Sequence, residues 1–333
     1  MNGMWLDVAR AGPMVTVQDA GRFGWLRYGV PASGPVDRFS HALANAVCAN
    51  PAGAAAIEVS TAGVAFAPTA PATFGFAAAT VSVDGDAVPG GAGVVTVGEG
   101  AMVTVRPAGG CRWGYLAPAG FVQAAGWLGS VATHTSSGLG GGSVATGDRI
   151  AVEAVRVRPD LDGVVEPGHP NDEAPIRVVL GPQEWAFVPE ASELLSSGGF
   201  AATAQADRMG MRLDGPALEL DGALTIPSEP IVRGAVQVSG DGIATVLLAD
   251  HQTTGGYPKI ATVVSVDCDV IAQRGPNVPI RFEPISAPDA IAAMRTETER
   301  RAEVLERIAH PERTLAQRLS TKNLIDGGRG EPS

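Results

Sequence analysis

Short β-branched runs punctuated by Gly, Pro, Asn and Asp recur through the first half of the chain, at 64–66, 74–83, 93–97, 101–105, 112–117 and 149–157. That texture predicts strands joined by tight turns. A meander this long is expected to close, because open strand edges invite pairing with other chains. Upstream, a strand beginning at Leu6 turns at Gly12-Pro13 and resumes as Val15-Thr16-Val17. Gly34-Pro35-Val36-Asp37 reads as the entry to a helix over 37–49, with Leu43, Ala46 and Val47 on one side and Asn50-Pro51 as its stop. Asp37 suits the N-cap of that helix, with ligand contact as the other reading.

Between 158 and 175 the composition turns to Pro, Gly, Asp and Glu without periodicity, which predicts an interdomain linker. The strand pattern then restarts at Ile176-Arg177-Val178-Val179-Leu180-Gly181-Pro182, echoing the first strand and its Gly-Pro turn. Apolar runs at 235–238 and 243–249 flank Ser239-Gly240-Asp241-Gly242, a hairpin signal because its glycines supply positive φ. The closing runs 147–152 and 277–282 also resemble each other, so two related β-barrels are suggested. Past Pro284 the texture becomes helical: Ser286 as cap, Pro288 and Asp289 in the first turn, and Ile291, Met294, Thr298, Leu305 and Ile308 as a stripe that packs on the chain's own barrel or on a partner. The predicted class is all-β, with domains at 1–157 and 176–285, and a C-terminal helix and tail at 286–333 in which 329–333 is expected to be disordered.

Composition supports this picture and narrows the function. A chain of 333 residues can bury the cores of two domains. Its 43 Gly and 25 Pro are turn-rich without being low-complexity, and a net charge of −11 argues against a nucleic-acid partner. No apolar run approaches the ~18 residues of a membrane span, and Asp7 and Arg10 interrupt any signal-like N-terminal core, so a cytoplasmic protein with no membrane partner is expected. Cys48, Cys111 and Cys268 lack CxxC spacing and read as reduced, mostly buried thiols. The five histidines form no HExxH pair, so no protein-bound catalytic metal is expected.

Polar chemistry concentrates in two loops. After the predicted hairpin, Asp250-His251-Gln252-Thr253-Thr254-Gly255-Gly256-Tyr257-Pro258-Lys259 packs ionisable and hydroxyl side chains around two glycines, whose successive amides could form an anion nest. Lys259 and Lys322 are the sole lysines among 24 basic residues, so a compact ammonium is wanted where Arg would otherwise serve. The plain alternative is a polar turn carrying an exposed surface lysine. The second loop carries Gln18, Asp19 and Arg22, at which no helical pattern begins, so capping does not account for them. Both loops are expected to open on a shared cleft. The run 136–143 is similar to the serine and glycine stretch of amidase-signature hydrolases, but those need a lysine base and none precedes Lys259; it reads as a flexible loop at a barrel rim.

Several blocks together carry a resemblance: 16–24 (TVQDAGRFG), 29–37 (GVPASGPVD), Asn45, Asn50 and Glu58, then 207–213 (DRMGMRL) and 228–264. Their order resembles the biotin-dependent carboxyltransferase family, which includes the C subunit of bacterial 5-oxoprolinase (often labelled allophanate hydrolase subunit 2), the KipA proteins and the carboxyltransferase domain of urea carboxylase. The resemblance implies paired cyclophilin-like barrels and a small-molecule substrate. It names Asp19, Asp250 and Lys259 for catalysis. For binding substrate or nucleotide it names Gln18, Arg22, Ser33, Asp37, Arg208, Arg212, Gln237, Gln252, Thr253, Thr254, Gly255, Gly256 and Tyr257. Likeness to the oxoprolinase subunit implies ATP-dependent opening of 5-oxoproline to glutamate, in a complex with KipI-like (B) and LamB/YcsF-like (A) subunits. No Walker A loop is present, so ATP with Mg is expected at the level of the complex. Two alternatives remain: carboxyl transfer from biotin on a separate carrier, this chain having no Met-Lys-Met attachment site, and a non-catalytic KipA-type partner of a KipI-like kinase inhibitor. The sequence departs from many relatives at Gly129-Ser130-Val131-Ala132-Thr133, which has no arginine.

Overall fold

The computed structural model describes residues 3–166, 174–222 and 225–310. Part of the predicted linker, the expected tail at 329–333 and Lys322 lie outside the described residues. The first half builds two sheets. One has seven strands in the order Phe121–Gln123, Arg149–Glu153, Met4–Ala11, Val64–Pro68, Val103–Pro107, Ala79–Val83 and Asp86–Val88. The other has six: Gly163–Val164, Ala92–Val97, Ala72–Ala77, Gly114–Pro118, Ala56–Val59 and Thr16–Gln18. Leu6, Val8 and Phe66 from one sheet meet Ile57, Phe74, Phe76 and Leu116 from the other in one buried core. The run 74–83, read above as one strand, is two strands in different sheets. Ala78, at φ +48°, turns the chain from one to the other.

The second half forms one eight-stranded sheet: Pro279–Ile280, Phe200–Ala206, Gly210–Asp214, Ala244–Leu247, Ala235–Val238, Lys259–Val263, Ile176–Leu180 and Phe282–Pro284. Its two edge strands belong to a single stretch, 279–284, so one segment ties both edges together and the sheet closes as a barrel around Val178, Met211, Val236 and Val246. Closure removes the exposed edges that an open sheet would carry. The predicted hairpin is present, with Val238 opposite Ala244 and Gly242 at φ +79°.

Four α-helices are described: α1 (Arg38–Ala46), α2 (Glu190–Ser197), α3 (Asp267–Gln273) and α4 (Ala287–Ala309). Helix α1 ends at Ala46, short of the predicted end at Ala49, which has φ +56°. In α4 the cap is as expected, Ser286 accepting from the Asp289 amide. Its inward face differs from the predicted stripe. Ala290 and Val304 are buried, Met294, Leu305 and Ile308 are partly buried, while Ile291 is 48% exposed and Thr298 also faces out. Arg301 completes that face: it pairs with Asp269 at 2.5 Å and lies over the Phe39 ring, so α4 packs on the chain's own body and spans both halves. Cys48 and Cys268 are buried thiols pushed up to about 11 by burial, and Cys111 is half-buried. Among the described residues no helix is long and apolar enough to cross a membrane.

Candidate functional site

The two halves meet on a buried ionic network. Glu58 stands in the strand Ala56–Val59, Arg208 in the turn between the strands Phe200–Ala206 and Gly210–Asp214, and Asp250 just after Ala244–Leu247. Arg208 donates through Nε and Nη2 to the two Asp250 oxygens at 2.9 Å each, through Nη1 to Glu58, and through Nη2 to the Gly34 carbonyl at 2.7 Å. Asp250 also accepts from the Thr135 amide and hydroxyl, and Glu58 from the Val36 amide and the Tyr115 hydroxyl. All three charged groups are at most 1% exposed. Burial pushes the Asp250 carboxyl up, but the Arg208 guanidinium and the Thr135 amide outweigh it and hold the pKa below the ordinary carboxylate range. Asp250 and Arg208, expected as catalytic acid/base and anion donor, are therefore structural: their hydrogen-bonding capacity is spent on each other and on the first half. Glu58 belonged to the sequence motif but was given no role.

Residues of the 18–37 loop are also largely committed to holding the fold. Asp19 accepts from the Gly21 amide, the Ser130 hydroxyl and the Val131 amide, so it anchors the 129–133 segment and is not a free base. Arg22 donates to the Ala132 and Trp127 carbonyls and lies 5.4 Å from the Trp127 ring centroid, placing a guanidinium beside the segment that lacks an arginine of its own. Gly140 packs against this arm, because an added Cβ would collide with the Ala132 oxygen, while Ser136, Ser137, Gly138 and Leu139 of the same run are exposed, as a rim loop would be. Three buried atoms here have no partner: Gln18 Oε1, Arg22 Nη1 and Ser33 Oγ.

Asp37 is the α1 cap, accepting from the Ser40 amide at 3.0 Å and the Gln273 side chain at 2.8 Å, and it is buried. Burial first, and Asp269 second, raise its pKa. A raised carboxyl stabilises the fold fully at low pH and less as pH rises through its value. Asp37→Asn, which still caps, is therefore expected to gain stability relative to wild type with rising pH. Asp37→Ala should lose about 0.5–2 kcal/mol, and urea denaturation at two pH values checks both.

A third group lies on the outside of the second barrel. Arg212, Thr245, Gln237 and Lys259 stand opposite one another on four neighbouring strands. Alternation across the pleat turns Met211, Val246 and Val236 into the barrel. A groove of about 620 Å³ runs along this row, walled by Arg212, Thr245, Gln237, Gln252 and Tyr257. No residue of the 18–37 loop lines it. The two polar loops meet through the buried network, where Arg208 bonds both the Gly34 carbonyl and Asp250. Ser136 Oγ, 3.7 Å from Met209 Sδ, brings the first half to the rim.

Lys259 corrects the exposed-loop reading: it opens the strand Lys259–Val263 and is 3% exposed. Its Nζ lies 2.6 Å from Glu229 Oε1 without an aligned hydrogen bond. Gln183 ties the pair together, accepting from the Lys259 amide and donating to Glu229. Glu229–Pro230 and Thr254–Gly255 form a two-stranded strap, with Glu229 opposite Gly255. Neither Gly255 nor Gly256 has positive φ, so the expected anion nest is not formed. Gly255 instead lies close over the Gln237 side chain: a Cβ there would fall 2.7 Å from Gln237 Nε2 and push that amide aside. Thr253 is half-buried, with its carbonyl accepting from the Ile231 amide, and Thr254 is exposed on the strap. Glu229 and Gln183 went unassigned in the sequence, where neither sits in a polar cluster.

Residues 28–284 match the family described as carboxyltransferase domain, subdomain A and B. The chain belongs to this family. It is 30% identical over 294 residues to the C subunit of 5-oxoprolinase from Escherichia coli (strain K12), covering 86% of this chain and 94% of that one. A putative urea carboxylase of Emericella nidulans is 28% identical over 316 residues, but this chain spans 25% of its length. The crystal structure of TTHA0988 superposes with a TM-score of 0.75 at 33% identity, over 84% of this chain and 55% of that longer one. The expected family and all-β barrel class stand.

Proposed function

We propose that this carboxyltransferase-family chain is a subunit of an ATP-dependent 5-oxoprolinase complex that opens 5-oxo-L-proline to L-glutamate. What supports the reading is the near end-to-end correspondence with a protein named as the C subunit of 5-oxoprolinase, against a quarter of a urea carboxylase. The chemistry adds water across the lactam C–N bond, leaving a carboxylate and an amine. Lactam carbonyls are poor electrophiles until their oxygen is activated, so donors that hold the substrate oxygens matter. Lys259 Nζ and Gln237 Nε2 are buried donors without aligned acceptors and serve that purpose. Among the described residues no group of three or more His, Cys, Asp or Glu is placed to hold a metal ion. We assign nucleotide chemistry to the KipI-like and LamB/YcsF-like partners, in the cytoplasm.

Carboxyl transfer from biotin on a separate carrier is the second reading, favoured by the family's description. The reconstituted complex decides: ATP-dependent glutamate release from 5-oxoproline supports the first reading. No release, together with carboxylation of urea dependent on a biotin carrier, overturns it. The pair with the KipI-like partner is expected to elute as one species in size-exclusion chromatography with light scattering, and two separate peaks at micromolar concentration would count against a stable complex.

A further inference from the structure

The groove on the second barrel is lined by Gln237, and Lys259 stands opposite that residue on the next strand, paired with Glu229 of the strap. Gln237 is 6% exposed and lines the groove; its Oε1 accepts from Gln252, while its Nε2 has no acceptor. Lys259, opposite it in register, is equally enclosed and has Glu229 as its ion-pair partner. The two members of that pair differ sharply: the Lys259 side chain is 4% exposed and the Glu229 side chain 39%. Glu229 can therefore swing into water at little cost, whereas a buried ammonium must keep an anion beside it. Glu229 and Gly255 face each other on the strap, and Gly255 lies directly over Gln237 Nε2, so lifting one short element uncovers both donors.

We propose that Glu229 holds the place of a ligand carboxylate. The strap Glu229–Pro230 with Thr254–Gly255 is a lid, and a small molecule carrying a carboxylate and a second acceptor oxygen displaces Glu229 from Lys259 and takes the free Gln237 donor. The exchange is balanced in charge at Lys259, passes the Gln183 donor from Glu229 to the incoming carboxylate, and gains a hydrogen bond at Gln237, which the closed state lacks. Under the proposed function, on which this point rests, 5-oxo-L-proline is such a molecule, with its carboxylate on Lys259 and its lactam oxygen on Gln237.

Calorimetric titration of the full chain with 5-oxo-L-proline, glutarate and 2-pyrrolidinone, which has the lactam but no carboxylate, tests the lid. Removing the internal competitor should raise the fraction of open, binding-competent chain. Glu229→Gln is thus expected to bind the two carboxylates about 10-fold more tightly than wild type, with pyrrolidinone unchanged. Glu229→Asp, which keeps the charge but falls short of Lys259, should tighten them too. Adding Lys259→Met to Glu229→Gln should abolish the gain. Unchanged or weaker carboxylate binding in both Glu229 variants overturns the lid, as does binding of none of the carboxylates by any of these proteins. If glutarate tightens and 5-oxoproline does not bind, the lid stands and the oxoprolinase reading falls. If the complex turns over 5-oxoproline with the same KM in wild type and Glu229→Gln, the lid falls and that reading stands.

Discussion

Arg208→Met is expected to lose about 3–5 kcal/mol of stability, the usual penalty when one partner of a buried ionic network is removed. The residue is large, fully enclosed and bonded to two carboxylates from opposite halves of the chain. Without the guanidinium, Glu58 and Asp250 become two buried anions with no cation, and the hydrogen bonds from Val36, Tyr115 and Thr135 alone are left to offset their desolvation. Urea denaturation of the purified chain measures this, and a loss below about 1 kcal/mol would mean that the network is worth no more than a surface pair. Acid should act on the same place. Because the Asp250 carboxyl is held below its ordinary value, its contribution is present above the ordinary carboxylate range and disappears as pH falls through the lowered value. Asp250→Asn is expected to be less stable at neutral pH and to show a flatter acid limb.

Lys259→Ala should lower kcat/KM of the assembled complex by about 10²–10³-fold, the range for losing a buried charged donor to substrate or a developing oxyanion. Its effect on folding should be smaller than that of Arg208→Met, since the carboxylate it leaves behind is partly exposed and stays hydrated. Lys259→Arg should fail as well: a planar guanidinium with a longer reach does not fit the enclosed place of the ammonium beside Glu229. Glutamate release from 5-oxoproline reads out both variants. Near-wild-type turnover in both would leave Lys259 as a structural counter-ion to Glu229.

Local chemistry was legible in the sequence wherever the interaction is short-range. The hairpin at 239–242, the Asp37 and Ser286 caps and most strands follow from φ requirements, period-two alternation and side-chain bonds to amides three residues away. Motif order likewise identified the family, because its blocks are contiguous. What the polar residues of those blocks do was decided by partners far along the chain. Arg208 and Glu58 are 150 positions apart, and Thr135 and Asp250 are 115 apart. Nothing in either neighbourhood announces which carboxylate will be saturated and which amide left unmet. Strand register set the row Arg212–Thr245–Gln237–Lys259, and the strap, through Glu229, encloses a lysine that its own loop sequence presents as exposed. Burial is a property of the assembled surface, and a single residue's neighbours along the chain supply only a small part of it.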